Sequence, residues 1–384
     1  MTPVPPTLKP APVIRRAADL RRLVDRLRHE SLLAVDTESN SLYAYTERVC
    51  LVQLSTRTED LIVDPLAVDD MSPLGDLFAD PAIEIVFHAA EYDIMTLKRD
   101  FGYAFATLFD TMLAARICGW EAVGLGNVLA ELFGVHADKK FQRANWSARP
   151  LSSAQLLYAQ MDTHYLPEAR DRMLAELTAA GRLDEARELF ADLCDLPAAE
   201  YTFDPDGFWR VSGARDLSRN QMAIVRELYL MRDEFARRRD CPPFKVFGDK
   251  TLVMLAQTAP RRPEDLRGLP GMTPDQIRRY GEAIVRAVAQ SRRAAPPQPP
   301  RSRDAFDPDV QLRYEALREW RKQRAAARGV ESDVIVPRTA LWALARQVPD
   351  SVEGLEGIPG LGPWRRAAYG PELIAVLQQV NGNR

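Results

Sequence analysis

Over the first 200 positions, apolar and β-branched residues come in short runs: LLAVD at 32–36, VCLVQL at 49–54, LIVD at 61–64 and IEIVF at 83–87. Runs this short, bounded by polar or turn residues, predict β-strands. The first three follow one another at close spacing, which predicts an antiparallel meander rather than crossovers. After the fourth run the apolar positions take up helical spacing. Helices are predicted over 90–99, 111–117 and 125–133, followed by one long helix from about 152 to 180. Strands first and helices after, around a central sheet, predict an α/β layered domain.

From about Leu217 the pattern changes in kind, with abundant Ala and Arg and apolar residues at helical spacing throughout. This half also repeats itself. Leu266-x-Gly268-x-Pro270-Gly271 returns as Leu355-x-Gly357-x-Pro359-Gly360, 89 positions later (355 − 266). The same offset carries Pro274 onto Pro363, Tyr280-Gly281 onto Tyr369-Gly370, Leu252 onto Leu341 and Leu228 onto Leu317. Two copies of one small helical domain are therefore expected. The expected division is a flexible proline-rich tail over 1–12, the α/β domain over 13–205, a first helical copy over 215–290, an extended Pro/Arg linker over 291–306 and a second copy over 307–384.

Composition narrows the class. Of the 384 residues 46% are apolar and 27% charged, the balance of a globular protein. No apolar run reaches the roughly 18 residues of a membrane span. The N-terminus lacks the pattern of a secretory signal, so a cytoplasmic location is expected. Cys50, Cys118, Cys194 and Cys241 form no Cys-x-x-Cys pair, and the four histidines are scattered. Any catalytic metal is then held mainly by carboxylates, which suits Mg2+ or Mn2+. Net charge is −3, but 226–328 carries 23 Lys+Arg against 14 Asp+Glu, or +9, leaving −12 for the remainder. Such asymmetry suits an acidic metal-collecting part and a basic phosphate-facing part, and equally two solvated helix surfaces.

The acidic part offers one constellation. Asp36 and Glu38 lie at i and i+2 at the end of the first strand, so both side chains share a face and can grip a divalent cation. In HAAEYD at 88–93, Asp93 follows the fourth strand at the start of a helix, where a functional acid or a carboxylate answering the helix dipole can sit. Tyr158 and Asp162 are one turn apart on the long helix and share a face, either at a site or buried with hydrogen-bond partners. Four carboxylates and a tyrosine in this order match a two-metal phosphodiesterase, in which two cations about 4 Å apart act on the reacting phosphate and no covalent nucleophile is needed. A tyrosine hydroxyl can orient the attacking water. Neither a Gly-x-Ser-x-Gly elbow nor a Walker-type loop is present to suggest acyl transfer or a nucleotide cofactor.

These segments resemble ribonuclease D, in the tyrosine-bearing branch of the DEDD exonucleases. The resemblance rests on LLAVDTESNSLYAYTERVCLVQLS, FHAAEYDIMTLKRDFG and YAQMDTHYLPEARDRM, with DTMLAARICG and a segment containing Lys140, Gln142, Trp146 and Arg149 between the last two. It implies a ribonuclease H-like α/β exonuclease domain followed by two all-α HRDC-like bundles. Asp36, Glu38, Asp93 and Asp162 would be the metal ligands, Tyr158 would position the nucleophilic water, and 5′-mononucleotides would leave RNA 3′ ends, especially those of precursor tRNA. The second HRDC-like copy departs from the first where Pro242, Pro243 and Phe244 meet Glu331, Ser332 and Asp333.

Three functional readings stand beside one another: an RNA 3′ exonuclease, a DNA exonuclease on the same fold, and a non-catalytic RNA-binding protein. The complete set of four acids favours catalysis. Asp110 is expected as a helix N-cap. Trp146 and Arg149 are read as substrate contacts or as pins for the long helix. Arg237, Arg238, Arg239, Lys245 and Lys250 flank Phe244 and Phe247, an interleaving that suits single-stranded RNA, although both phenylalanines are expected more readily in the core.

Overall fold

The computed structural model of the chain describes residues 8–136, 138–200, 202–214, 216–299 and 307–382. Six strands form one sheet in the order β1-β4-β3-β2-β5-β6. They are β1 (Val13–Ile14), β2 (Leu32–Ser39), β3 (Val49–Ser55), β4 (Asp60–Val63), β5 (Glu84–Phe87) and β6 (Leu108–Asp110). β3 and β4 are antiparallel, as the close spacing predicts, whereas β2 runs parallel to β5 and β5 to β6. β1 and β6 escape prediction because two and three residues show no periodicity.

Parallel pairing has a positional consequence. Ala34 is paired with Val86, so two residues further on Asp36 comes level with His88, and the segments that follow β2 and β5 leave the same edge of the sheet. Helices α1 (Ala17–Leu27), α2 (Ser72–Phe78), α3 (Glu91–Phe101), α4 (Thr111–Cys118) and α5 (Leu125–Phe133) come before the predicted long helix. That helix is in fact two, α6 (Ser153–His164) and α7 (Leu166–Ala179), followed by α8 (Leu183–Cys194). Pro167 has no N–H to continue the ladder, and the chain turns at Tyr165 (φ −94°, ψ −8°). The break frees α6 to follow β3 and β4.

One large apolar core lies among β2–β6 and the surrounding helices. A smaller one, Cys50, Leu51, Ile62, Trp146, Leu151 and Ala159, lies under α6. Residues 1–7 of the expected tail lie outside the described residues, but its last residues are fastened. Ala11 N–H donates to Gln160 Oε1 at 2.9 Å, and Pro12 C=O accepts from Ile62 N–H at 3.1 Å.

No strand occurs from Leu217 onward among the described residues. The first copy contains α9 (Arg219–Arg238), α10 (Pro243–Val246), α11 (Asp249–Thr258) and α12 (Pro274–Ser291); the second contains α13 (Pro308–Arg328), α14 (Ser332–Ile335), α15 (Arg338–Gln347) and α16 (Pro363–Gly382). The offset of 89 carries Pro243–Val246 onto Ser332–Ile335 and Asp249–Thr258 onto Arg338–Gln347. It even carries the left-handed Ala259 onto the left-handed Val348. Arg239 donates to Tyr280 Oη in the first copy, and Arg328 to Tyr369 Oη in the second. Of the expected linker, Ser291 is the buried last residue of α12 and 300–306 lie outside the described residues.

The chain divides into two compact units that cut across the sequence order. Residues 39–48, the last residue of β2 and the loop after it, belong with the first copy, and the second copy belongs with the α/β domain. Within the first unit, Tyr45 Oη donates to Asp233 Oδ1 at 2.7 Å, and Lys245 Nζ sits 4.0 Å from the centroid of the Tyr43 ring. In the other, the positions at which the second copy departs from the first are docking residues. Arg116 of α4 donates to Glu331 at 2.7 Å and to Asp333 at 2.6 Å. Val334, which takes the place of exposed Lys245, is buried in the main core of the α/β domain.

Fully buried Glu185 of α8 holds Arg328 at 2.6 Å, and Glu188 accepts from the backbone N–H of Trp364 at 2.6 Å. Gly119 ends α4 in the left-handed region (φ 91°), where a Cβ would collide with the Gly329 carbonyl. Removing one partner of a buried pair strands the other. Glu185→Ala is therefore expected to lower unfolding free energy by about 3 to 5 kcal/mol in urea titrations, and a loss below about 1 kcal/mol would show the docking to be incidental.

Candidate active site

The five side chains singled out in the sequence come from three elements. Asp36 and Glu38 occupy the last half of β2, Asp93 the first turn of α3, and Tyr158 and Asp162 one side of α6. Asp93 is 8% exposed, while Asp36, Glu38, Asp162 and Tyr158 keep one partly open side amid dense protein. Thr37 Oγ1 donates to Asp93 Oδ1 at 2.5 Å, linking β2 to α3.

The four carboxylates act on one another. Burial first, then the charges of Asp93, Asp162 and Glu38, hold the Asp36 carboxyl well above its usual range. Burial followed by Asp162 and Asp93 pushes Glu38 up to about 9. Asp162 rises to about 7 through burial and Asp93, and Asp93 to about 6, chiefly through burial. Tyr158 is also pushed up by burial and by Asp162, Glu38 and Asp36, so its phenol keeps its proton at neutral pH. Such mutual destabilisation of like charges marks a functional cluster more often than a structural one.

Among the described residues no three acidic, histidine or cysteine side chains stand as a ready-made metal cage. The carboxylates meet through their charge rather than through one set of ligation distances, and Asp93 is engaged by Thr37. Their chemistry nonetheless fits a hard divalent cation: the donors are carboxylate oxygens, and a cation would offset the like-charge repulsion among them.

Polar bonds fix α6 on the sheet. Thr163 and Ser55 hydroxyls lie 2.7 Å apart, and both Gln160 Nε2 and His164 Nδ1 reach Asp60 Oδ2 at 2.7 Å. Ser152 and Gln155 form a capping box at its start. The Tyr158 ring packs between Trp146 and Phe141, with centroids 6.0 and 5.9 Å away. Trp146 is 2% exposed and pins the helix, which settles its two readings in favour of packing. Arg149 is structural too, spending its guanidinium on Asp64 at 2.7 and 2.8 Å and on the Cys50 and Trp146 carbonyls. A cleft of about 240 Å³ opens beside Tyr158 and Asp162, lined also by His136, Asp138, Lys140, Phe141, Leu157 and Met161.

Comparison with known proteins adds the family. Residues 12–178 match the 3′-5′ exonuclease family, and 221–288 and 311–377 each match the HRDC domain. The chain is 34% identical to ribonuclease D of Gluconacetobacter diazotrophicus, over 98% of its own length and 96% of that protein's. This chain belongs to the ribonuclease D family. It is a 3′-to-5′ exoribonuclease acting on RNA, in a family that depends on divalent cations. The ribonuclease D of Acidiphilium cryptum is 33% identical over 95% of the chain and 93% of that protein. The catalytic core of RRP6 from Trypanosoma brucei has a TM-score of 0.68 at 28% identity, covering 76% of this chain and 83% of that one. Escherichia coli RNase D, at 24% identity and a TM-score of 0.67, shares the fold over 96% of this chain and 99% of its own.

In this ribonuclease D family member, sequence reasoning missed the supporting residues Thr37, Asp60, Gln160 and Thr163. Only the position of Thr37, between two candidate acids, was a signal. Phe247 is 1% exposed as expected of a core residue, but Phe244 stands 53% exposed, contrary to the core reading, because Val246 is the residue that this single helical turn buries.

The raised carboxyls make a pH prediction. Their folded pKa values lie above the ordinary ones, so their contribution to stability is complete below the usual carboxylate range and is lost as pH rises through about 6, 7 and 9. Without divalent cations, Asp162→Asn removes one of the four charges. Its melting temperature is expected to exceed the parent's at pH 8, with the gap closing toward pH 5; a lower melting point at pH 8 would deny the repulsion.

Proposed function

We propose that Asp36, Glu38, Asp93 and Asp162 hold two divalent cations, Mg2+ or Mn2+, and that Tyr158 orients the water that cuts the terminal phosphodiester of an RNA strand. The observation that carries this reading is the mutual elevation of carboxyls brought together from β2, α3 and α6. When bound, such ions neutralise charge that develops on the phosphate in the transition state.

The chain's own groups do the rest. The Tyr158 hydroxyl, protonated at neutral pH, is both donor and acceptor and can hold a water beside the acids. That water gives up one proton to solvent as its oxygen forms a bond to phosphorus and the P–O3′ bond breaks. The electron pair leaves on the 3′ oxygen, which is protonated from solvent, and a 5′-mononucleotide departs. Phe141, Leu157 and Met161 offer the terminal nucleotide an apolar wall in the cleft, and Lys140 a cation at its rim.

Precursor tRNA with a 3′ extension is the proposed substrate. Incubated with magnesium, the protein is expected to shorten such an RNA stepwise and to stop when a chelator is added. Asp36→Ala and Asp162→Asn are expected to abolish shortening while leaving the fold and RNA binding in place. Tyr158→Phe, which removes water positioning but no ligand, should slow it by roughly 100- to 10,000-fold. Retained hydrolysis in both acid variants would overturn the assignment.

A further inference from the structure

Asp110 ends β6 and is 1% exposed, yet it is outside the proposed set of metal ligands. Its expected role as N-cap is present: Oδ1 accepts from the backbone N–H of Met112 at 2.8 Å and of Leu113 at 3.0 Å. The same carboxylate also reaches sideways. Oδ1 accepts from Ala89 N–H at 3.2 Å and Oδ2 from Ala90 N–H at 2.7 Å. Pairing of Phe87 with Asp110 across β5 and β6 makes this reach possible.

The turn it holds is an unfavourable one. Ala89 has φ 64°, a left-handed conformation that a residue with a Cβ avoids, and no glycine relieves it. It lies between β5 and α3, so its geometry sets where the first turn of α3, and hence Asp93, stands. A second strap joins the same junction: His88 Nδ1 lies 2.9 Å from Thr111 Oγ1, which donates to the Phe87 carbonyl at 3.0 Å.

A carboxylate has about four lone-pair positions, and Asp110 spends four acceptor bonds on backbone N–H groups. Three of these bonds converge on Oδ1 and one on Oδ2, so the carboxylate is committed chiefly to the backbone, and its charge is close enough to act on Asp93. We infer that Asp110 is a positioning residue, which fixes the left-handed turn at Ala89 and thereby holds Asp93 in place for metal binding. This rests on the reading of Asp93 as a ligand.

Serine also caps helices well but is too short to span both sets of N–H groups, so Asp110→Ser separates the two roles. In the full-length protein this variant is expected to melt cooperatively, with turnover on RNA down roughly tenfold to a hundredfold and KM little changed. Mn2+ affinity by calorimetry should fall, and amide exchange should quicken at 89–93. Adding Ala89→Gly, which makes the left-handed turn unstrained, should recover part of both losses, and Asp110→Asn, which keeps one oxygen, should fall between. Full turnover, unchanged Mn2+ affinity and unchanged exchange in Asp110→Ser would overturn the inference. If Asp93→Asn retains activity and Mn2+ binding, the ligand reading fails instead, and the exchange rates at 89–93 still decide whether Asp110 holds the turn.

Discussion

Four carboxylates crowded into protein of low polarisability repel one another, and the rest of this α/β domain is arranged so that they cannot move apart. Burial alone raises each carboxyl, and neighbouring charges raise most of them further. A flexible backbone would relieve that strain by turning the acids toward water. Here each is attached to something stiff: Asp36 and Glu38 to a strand in the middle of the sheet, Asp162 to a helix tied down through Ser55 and Asp60, and Asp93 to a junction tied down by Asp110. Relief of that repulsion is what the proposed cations would supply.

The supporting layer is polar where an apolar one would have sufficed for stability alone. Arg149 bridges Asp64 and two backbone carbonyls, and Gln160 bridges Ala11 and Asp60. Directional bonds of this kind fix register along a helix, which apolar contacts between smooth surfaces do less sharply. Trp146 adds bulk against the Tyr158 ring, so the phenol is set by packing on one side and by its helix on the other.

The repeated helical domain shows how one scaffold takes two roles through a few positions. Both copies keep the core leucines, the Arg–Tyr pair and the left-handed turn residues. At the short helix, Pro242 to Lys245 leaves an aromatic and a cation exposed in the first copy, while Glu331 to Val334 supplies two anions for Arg116 and an apolar residue for the main core in the second. The divergence that weakens the second copy as a candidate RNA surface is what makes it part of the α/β unit.

Local periodicity determined much of this protein by itself. Alternation along 32–39 placed Asp36 and Glu38 on one face, four-residue spacing placed Tyr158 with Asp162, and the 89-residue echo announced two like domains, because each depends only on neighbours along the chain. Pro167 carried the break between α6 and α7 openly, though the apolar pattern on either side masked it. Tertiary structure alone decided the rest. Whether Trp146 packs or binds, whether Phe244 is buried, what Arg116 faces and which amides Asp110 collects all depend on the residue that arrives from elsewhere. Strands as short as Val13–Ile14 and Leu108–Asp110 exist only because a neighbour supplies their hydrogen bonds. Burial and pairing are properties of two surfaces, and the sequence of one of them does not contain the other.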